Sequence, residues 1–195
     1  MTEFDQKAIL KRYLQDGREE LLWKIEGLSE YDLRRPLVPT GTNLLGLVKH
    51  VAAMDGEYFG LVFGRPYPGG FPSVADDAPA NSDMWATASE SSASLIQLYR
   101  QVWKHSDETI DGLELDAPGL VPWWSEQSKN TTLGRILVHM IAETQRHLGH
   151  ADIVRELIDG EAGMRPTNSN LPDGDSDWWA AYRAQLEATA ATFRV

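Results

Sequence analysis

The sequence predicts an all-α protein: a four-helix bundle followed by a short C-terminal helix. Three observations point to it. Four long segments carry apolar residues at helical spacing, each about 22–30 residues long, a length suited to bundle helices. No segment alternates apolar and polar residues convincingly enough to read as a strand. The breaks between segments fall at Gly, Pro and Thr residues of the kind that cap or stop helices.

The first helix is expected from about Thr2 to Leu28. Phe4, Ile9, Tyr13, Leu14, Leu21, Leu22 and Ile25 follow a mostly helical period, with Glu3, Asp5 and Lys24 suited in charge to its two ends. Gly27 and then Arg34-Arg35-Pro36 close it. The second begins after Thr42, a good N-cap, and runs to Phe63 along Leu44, Leu47, Val48, Val51, Met54, Tyr58 and Leu61, until Gly64-Arg65-Pro66 stops it. Residues 64–80 hold four prolines and three glycines and read as an irregular connection, long enough to suggest a functional loop. The third helix is expected from Ser82 to Leu113, with Trp85, Ala88, Leu95, Leu98, Tyr99, Val102 and Ile110 inward.

Residues 114–130 form a second loop with Pro118, Pro122 and the pair Trp123-Trp124. The fourth helix opens at Thr131 and ends at Gly160, a natural C′ residue, and runs along Leu133, Ile136, Leu137, Met140, Ile141, Leu148, Ile153, Val154, Leu157 and Ile158. Residues 161–175 read as a linker, and Ser176 to Phe193 as a last helix bearing Trp178, Trp179, Tyr182 and Leu186. The expected organisation is a bundle over residues 1–160, with 161–195 a linker and a Trp-rich helix packing on it.

Composition narrows the chemistry. The chain has 195 residues, enough for one domain with a real core, and a net charge of −11. An acidic surface repels nucleic acid and anionic membranes, so neither is expected as a partner. No apolar run approaches the ~18 residues that span a bilayer. The N-terminus lacks the pattern of a signal peptide, so a cytoplasmic location is expected. There is no cysteine, which excludes disulfides, thiolate metal ligands and a protein-borne thiol nucleophile. Any metal must be held by His, Asp or Glu. No P-loop, no G-x-G-x-x-G after a strand and no G-x-S-x-G occurs.

The five histidines are unevenly placed, with His139, His147 and His150 within twelve residues. His139, Glu143 and His147 are spaced four apart, which puts them on one helical face in successive turns of ~5.4 Å. That face also carries core residues, and buried ionisable groups are costly unless they are paired or bind a metal. A Glu143–His147 pair can place a carboxylate oxygen and an imidazole nitrogen on one ion. His50, on the apolar side of the second helix, is the obvious facing ligand. His50, Glu143 and His147 would supply two nitrogens and one oxygen and leave positions open, the catalytic pattern for zinc, with Fe(II), Ni(II) or Mn(II) also suited. Other readings stand beside this one. His147 and His150 form a competing pair, His139 reads equally as a hydrogen-bonded core histidine, and Glu143 as a surface partner of Arg135 or Arg146. His105 reads as exposed near a helix C-terminus. Trp123 and Trp124 read either as the mouth of a pocket that contacts a bound cofactor or as a seal on the bundle end.

These residues also carry a resemblance. Asn43-Leu44-Leu45-Gly46-Leu47-Val48-Lys49-His50 resembles the second helix of the DinB-like metalloprotein superfamily, and Leu133 to Ile153 resembles its metal-bearing helix. Many members carry H-x-x-x-H followed by R-G-Q. Here Glu143 replaces the first histidine and the tail is Leu148-Gly149-His150, as in the branch that includes mycothiol-dependent maleylpyruvate isomerase, whose triad is His, Glu, His. The resemblance covers about residues 1–160 and implies His50, Glu143 and His147 as metal ligands, with His139 outside the ligand set. It implies an up-down-down-up bundle with the metal at one end of the core.

It further implies a divalent metal, zinc first, with nickel, iron or manganese as alternatives, and a low-molecular-weight thiol such as mycothiol or bacillithiol. The expected function is a metal-dependent thiol S-transferase acting on a small electrophile held near the loops at 64–80 and 114–130. His150, Glu57 (seven residues after His50, on its face) and Asp152 are the candidates for a base or a ligand-supporting group. The isomerase has a separate C-terminal domain where this chain has a short tail. A metal-dependent hydrolase and a non-enzymatic, stress-related binding bundle are the alternatives. A small-molecule substrate is expected, and a homodimer is left open.

Overall fold

The computed structural model describes residues 5–194. The expected helix start at Thr2, with Glu3 and Phe4, lies outside the described residues. α1 runs Gln6–Trp23, α2 Glu30–Arg34, α3 Leu44–Phe59, α4 Ser92–Gly112, α5 Leu133–Asp159 and α6 Ser176–Ala191. The caps follow local chemistry. Asp5 accepts the amides of Lys7 and Ala8, Asn43 that of Gly46, Thr132 that of Arg135, and Asp175 that of Trp178. Gly160 ends α5 at φ +81°, a left-handed C-cap that most residues with a Cβ avoid.

Side-chain contacts give the helix directions. Lys7 and Lys11 of α1 meet Asp111 at the far end of α4, so these two run antiparallel. Lys49 near the start of α3 pairs with Glu90 just before α4, and Arg65 just after α3 with Glu108, so α3 and α4 run parallel. His50 meets His147 while Tyr58 meets His139, so α3 and α5 are antiparallel. Gly17 lies against Thr144, and Lys24, just beyond α1, against Asp152, so α1 and α5 are parallel. The result is the up-down-down-up bundle.

Parallel neighbours explain the largest departure from the expected elements. After α3 the chain must travel back along a helix of about 24 Å before α4 can start. It spends residues 60–91 doing so, and α4 begins at Ser92 instead of Ser82. Trp85, expected in the core, is 50% exposed on that return. The 114–130 loop is also more ordered than expected. Pro118–Leu120 and Asn130–Thr132 pair as a short antiparallel ribbon, with Gly119 opposite Thr131. The first helix stops at Trp23, and the separate α2 is capped by Ser29.

Beside a smaller cluster of Ala53, Phe71 and Val102, two large apolar clusters fill the bundle. One gathers Leu21, Leu44, Val48, Val51, Tyr99, Leu148 and Val154, and the other Leu14, Phe59, Ile110, Leu133, Ile136, Leu137 and Met140. Tyr13, Ile153 and Leu157, which fit the apolar periods, are exposed, because α1 and α5 each bury a narrower stripe than the pattern offers. In α6 no residue is buried, and Trp178 stacks on Tyr182 at 5.5 Å. A cleft between α6 and the end of α5 is lined by Glu156, Gly160, Trp179 and Leu186.

Arg18 and Asp55 are both fully buried and form a two-pronged ion pair at 2.8 and 2.9 Å across α1 and α3. Arg18 also reaches Asp107 on α4 at 2.9 Å, which ties three helices to one guanidinium. Asp55→Asn is expected to leave this buried charge only its half-buried Asp107 partner and to cost about 3 kcal/mol of stability, read as a lower urea midpoint at unchanged m.

Candidate metal centre

Two helices and one loop build the site. Asn43 starts α3 so that His50 lies in its second turn, facing α5. α5 presents Glu143 and His147 one turn apart in mid-helix. Nε2 of His50 lies 3.3 Å from Oε1 of Glu143, and Nε2 of His147 lies 3.1 Å from the same oxygen. One ligand atom from each residue falls within 4.8 Å of the others. The side chains are 14%, 28% and 12% exposed for His50, Glu143 and His147, so the group is sheltered yet open on one side. It sits at mid-height, where the two apolar clusters meet, and not at one end of the core. The reason is the length of α5, whose 27 residues place Glu143 and His147 near its middle.

Behind His50 stands Asp83, from the return between α3 and α4. Its Oδ2 is 2.6 Å from Nδ1 of His50. Asn43, the cap of α3, and two residues within α3 hold that stretch of loop. Asn43 donates its amide to the Met84 carbonyl at 3.1 Å. Lys49 donates to the Trp85 carbonyl at 3.1 Å. Gly46 lets the loop backbone approach so closely that an added Cβ would sit 1.8 Å from the Met84 oxygen.

This geometry sets the proton chemistry. The Asp83 carboxylate accepts a hydrogen bond from Nδ1–H of His50, so the neutral ring turns the lone pair of Nε2 toward the Glu143 carboxylate. Two electron-rich atoms at 3.3 Å repel unless something positive lies between them. A second proton on His50 is one remedy. Burial opposes that charge, but the hydrogen bonds to Glu143 and Asp83 outweigh it and raise the pKa of His50. The His147 and His50 rings together hold the Glu143 carboxyl far below the usual range. A divalent cation is the other remedy. Donor atoms about 2.1 Å from a zinc ion stand about 3.4 Å apart at tetrahedral angles, close to the spacings of the Glu143 oxygen from the two imidazoles. The donor set and the carboxylate behind His50 therefore fit a cation.

The remaining sequence candidates are placed as follows. His150 is exposed, with its ring 5.5 Å from that of His147. Glu57 is half-buried, has no hydrogen-bond partner among the described residues, and is pushed up by burial. Asp152 points to α1 and pairs with Lys24 at 2.9 Å, on the far side of α5 from the cluster. His139 sits one turn before Glu143, packed between Tyr58 and Trp124 at 4.7 and 5.1 Å between ring centres, and burial lowers its pKa. Nε1 of Trp123 and Nε1 of Trp124 both donate to the Tyr58 hydroxyl, at 3.2 and 3.0 Å. His105 is half-buried, contrary to expectation, because its Nε2 meets the Arg65 carbonyl at 2.7 Å and anchors the start of the return loop. Sequence reasoning missed Asp83. It lay in a stretch assigned to helix, and no spacing rule links it to His50. The only signal was indirect: an up-down-down-up bundle needs a long return past the start of α3.

The chain matches a family model described as mycothiol-S-transferase over residues 9–160. No curated protein matches it. Among the described residues no helix is long and apolar enough to cross a membrane.

In metal-free protein, imidazole NMR is expected to show His50 titrating above the ordinary value near 6.5. Asp83→Asn is expected to lower that pKa, because it removes one of the two acceptors that favour the proton. Since the folded pKa is the higher one, the stabilising contribution of this proton is complete below the unfolded value and lost as pH rises through the folded value. An Asp83→Asn protein with an unmoved His50 titration would contradict the assignment.

Proposed function

We infer, from the premise that this chain belongs to the mycothiol-S-transferase family, that it joins a low-molecular-weight thiol, mycothiol or a close analogue, to a small electrophile, with a divalent cation held by His50, Glu143 and His147. The observation that carries this reading is the convergence of two imidazole nitrogens on one carboxylate oxygen, with Asp83 behind the first imidazole. A divalent cation, zinc first on this donor set, supplies the charge that favours the thiolate form of a thiol at neutral pH. Nickel, iron and manganese suit the same two-nitrogen, one-oxygen set.

The protein's own residues do the rest. Asp83 holds the Nδ1 proton of His50 and so aims Nε2 at the site. Glu143 brings one negative charge, which leaves net positive charge for an incoming thiolate. His150, exposed beside His147, is the group that takes the thiol proton and passes it to water. Glu57, a desolvated carboxyl on the α3 face that carries His50 and without a partner among the described residues, is a second proton acceptor. Asp152 is neutralised by Lys24 and has no part in this. The chain has no cysteine, so the sulfur that reacts must arrive with the thiol.

His147→Ala is expected to abolish binding of one metal ion per chain, measured by elemental analysis of untagged protein. Adduct formation between thiol and electrophile, followed by mass spectrometry, should fall to the uncatalysed rate in the same variant. Product that forms equally well without thiol would overturn the transferase reading in favour of hydrolysis. Asp83→Asn is expected to weaken metal affinity about 10–100-fold while still filling to one ion at saturation. Metal affinity should also fall as pH drops, because the proton that His50 holds tightly competes with the cation. Competition titration with a chelator at several pH values measures both effects.

A further inference from the structure

We propose that α6 is a self-pairing helix: two copies of this chain join through α6, packed antiparallel about a twofold axis between Gln185 and Leu186. This goes beyond the thiol-transfer reading and does not rest on it. No residue of Ser176–Ala191 is buried. A helix of that length is marginal in water by itself, and most helical stability in proteins comes from packing an apolar face. The bundle leaves that face of α6 open. A cleft of about 640 Å³ lies between Trp179 and Arg183 of α6 and Glu156 and Gly160 at the end of α5.

The open face is a stripe. At about 100° per residue, Trp178, Tyr182, Leu186 and Thr189, with Phe193 in the turn that follows, fall within about 80° of arc. Trp178, Tyr182, Leu186 and Phe193 are 43%, 44%, 52% and 79% exposed. The stripe also mirrors itself. Trp178 and Phe193 are equally far from the midpoint between Gln185 and Leu186, and so are Tyr182 and Thr189. In an antiparallel pair Trp178 therefore meets the second copy's Phe193, Tyr182 meets its Thr189, and Leu186 packs beside its own equivalent at the axis. Ala181 and Ala188 flank the stripe and let the two helix axes approach to about 8 Å.

Charge favours a second copy as the occupant. The chain carries −11 overall, yet residues 178–194 hold two arginines, Arg183 and Arg194, against one acid, Glu187. Two acidic chains can approach each other along this stretch. Arg183 has no carboxylate partner among the described residues, and Glu187 reaches only Arg194, at 3.7 Å and largely in solvent. In the antiparallel register each Arg183 comes level with the second copy's Glu187 on the same flank, which gives two crossing ion pairs. Counted with Trp179, Arg183 and Gln185 at its edges, the stripe would lose roughly 600 Å² of surface per chain, or about 1,200 Å² in all, the lower bound for a specific interface.

The full-length chain tests this. At about 100 μM, above the roughly micromolar Kd that suits an interface of this size, light scattering after gel filtration should give twice the chain mass. Arg183→Glu and Glu187→Arg each make both crossing pairs alike in charge, and each alone should weaken the dimer about tenfold or more. Mixed in equal amounts, the two variants should recover a 1:1 heterodimer, because every crossing pair is again opposite in charge. Gln185→Cys, in a chain with no other cysteine, should give a disulfide-linked dimer on mild oxidation, and Ala180→Cys, on the opposite side of α6, should not. A monomer at this concentration would overturn the proposal. So would a dimer indifferent to both charge reversals, a mixture that stays monomeric, or equal cross-linking from the two cysteine variants. A dimer kept in both reversals but lost in Ile153→Asp would place the interface on the exposed side of α5 and equally overturn it.

Discussion

Everything at the site depends on His50 lying between two carboxylates. Glu143 reaches it from α5, across the bundle, and Asp83 from a loop that has travelled back along α3. One imidazole has two nitrogens, and each is answered by an acid. That arrangement decides the tautomer, aims a lone pair into the interior and creates a demand for positive charge between the α3 and α5 side chains. A proton on His50 meets that demand, and in the proposed metal-bound form a divalent ion held by the same three side chains would meet it. A cation bound there would offset the cost of burying these ionisable groups.

The bundle topology makes the arrangement available. Because α3 and α4 run parallel, about thirty residues must return from the end of one to the start of the other. Asn43, Gly46 and Lys49 clasp this return near its end, within the first two turns of α3 and immediately before His50. The same helix face therefore carries the ligand and the clasp for the loop that orients it. On the other side of α3, the buried pair of Arg18 and Asp55, extended to Asp107, locks α1, α3 and α4 together. Rigid helices are what allow His50 and the Glu143–His147 pair, ninety-three residues apart or more in sequence, to meet within hydrogen-bonding distance.

Most of the bundle was legible in the sequence because helical period and caps are local. The expected ends at Thr42, Thr131 and Gly160 hold to within a residue, the structure placing the caps at Asn43, Thr132 and Gly160. The errors fall where local preference competes with topology. Residues 82–91 have helix-compatible composition, but the return from α3 takes them. The ribbon of Pro118–Leu120 with Asn130–Thr132 is too short to leave an alternating pattern, and its pairing rests on backbone hydrogen bonds. His105 looked exposed by its charged neighbours, yet the Arg65 carbonyl captures it.

The sequence by itself determined the helices, the one-turn spacing of Glu143 and His147, and the lack of any protein thiol, because these are matters of period and composition. It also supplied His50 as a facing residue, since its position on the apolar stripe of α3 requires it to look inward. Only the tertiary structure decided which acid stands behind His50, that Asp152 is spent on Lys24, and that two indoles share one phenol oxygen beside His139. Each of those contacts joins residues far apart in the chain. Their meeting depends on helix direction and loop path, which no local pattern of residues encodes.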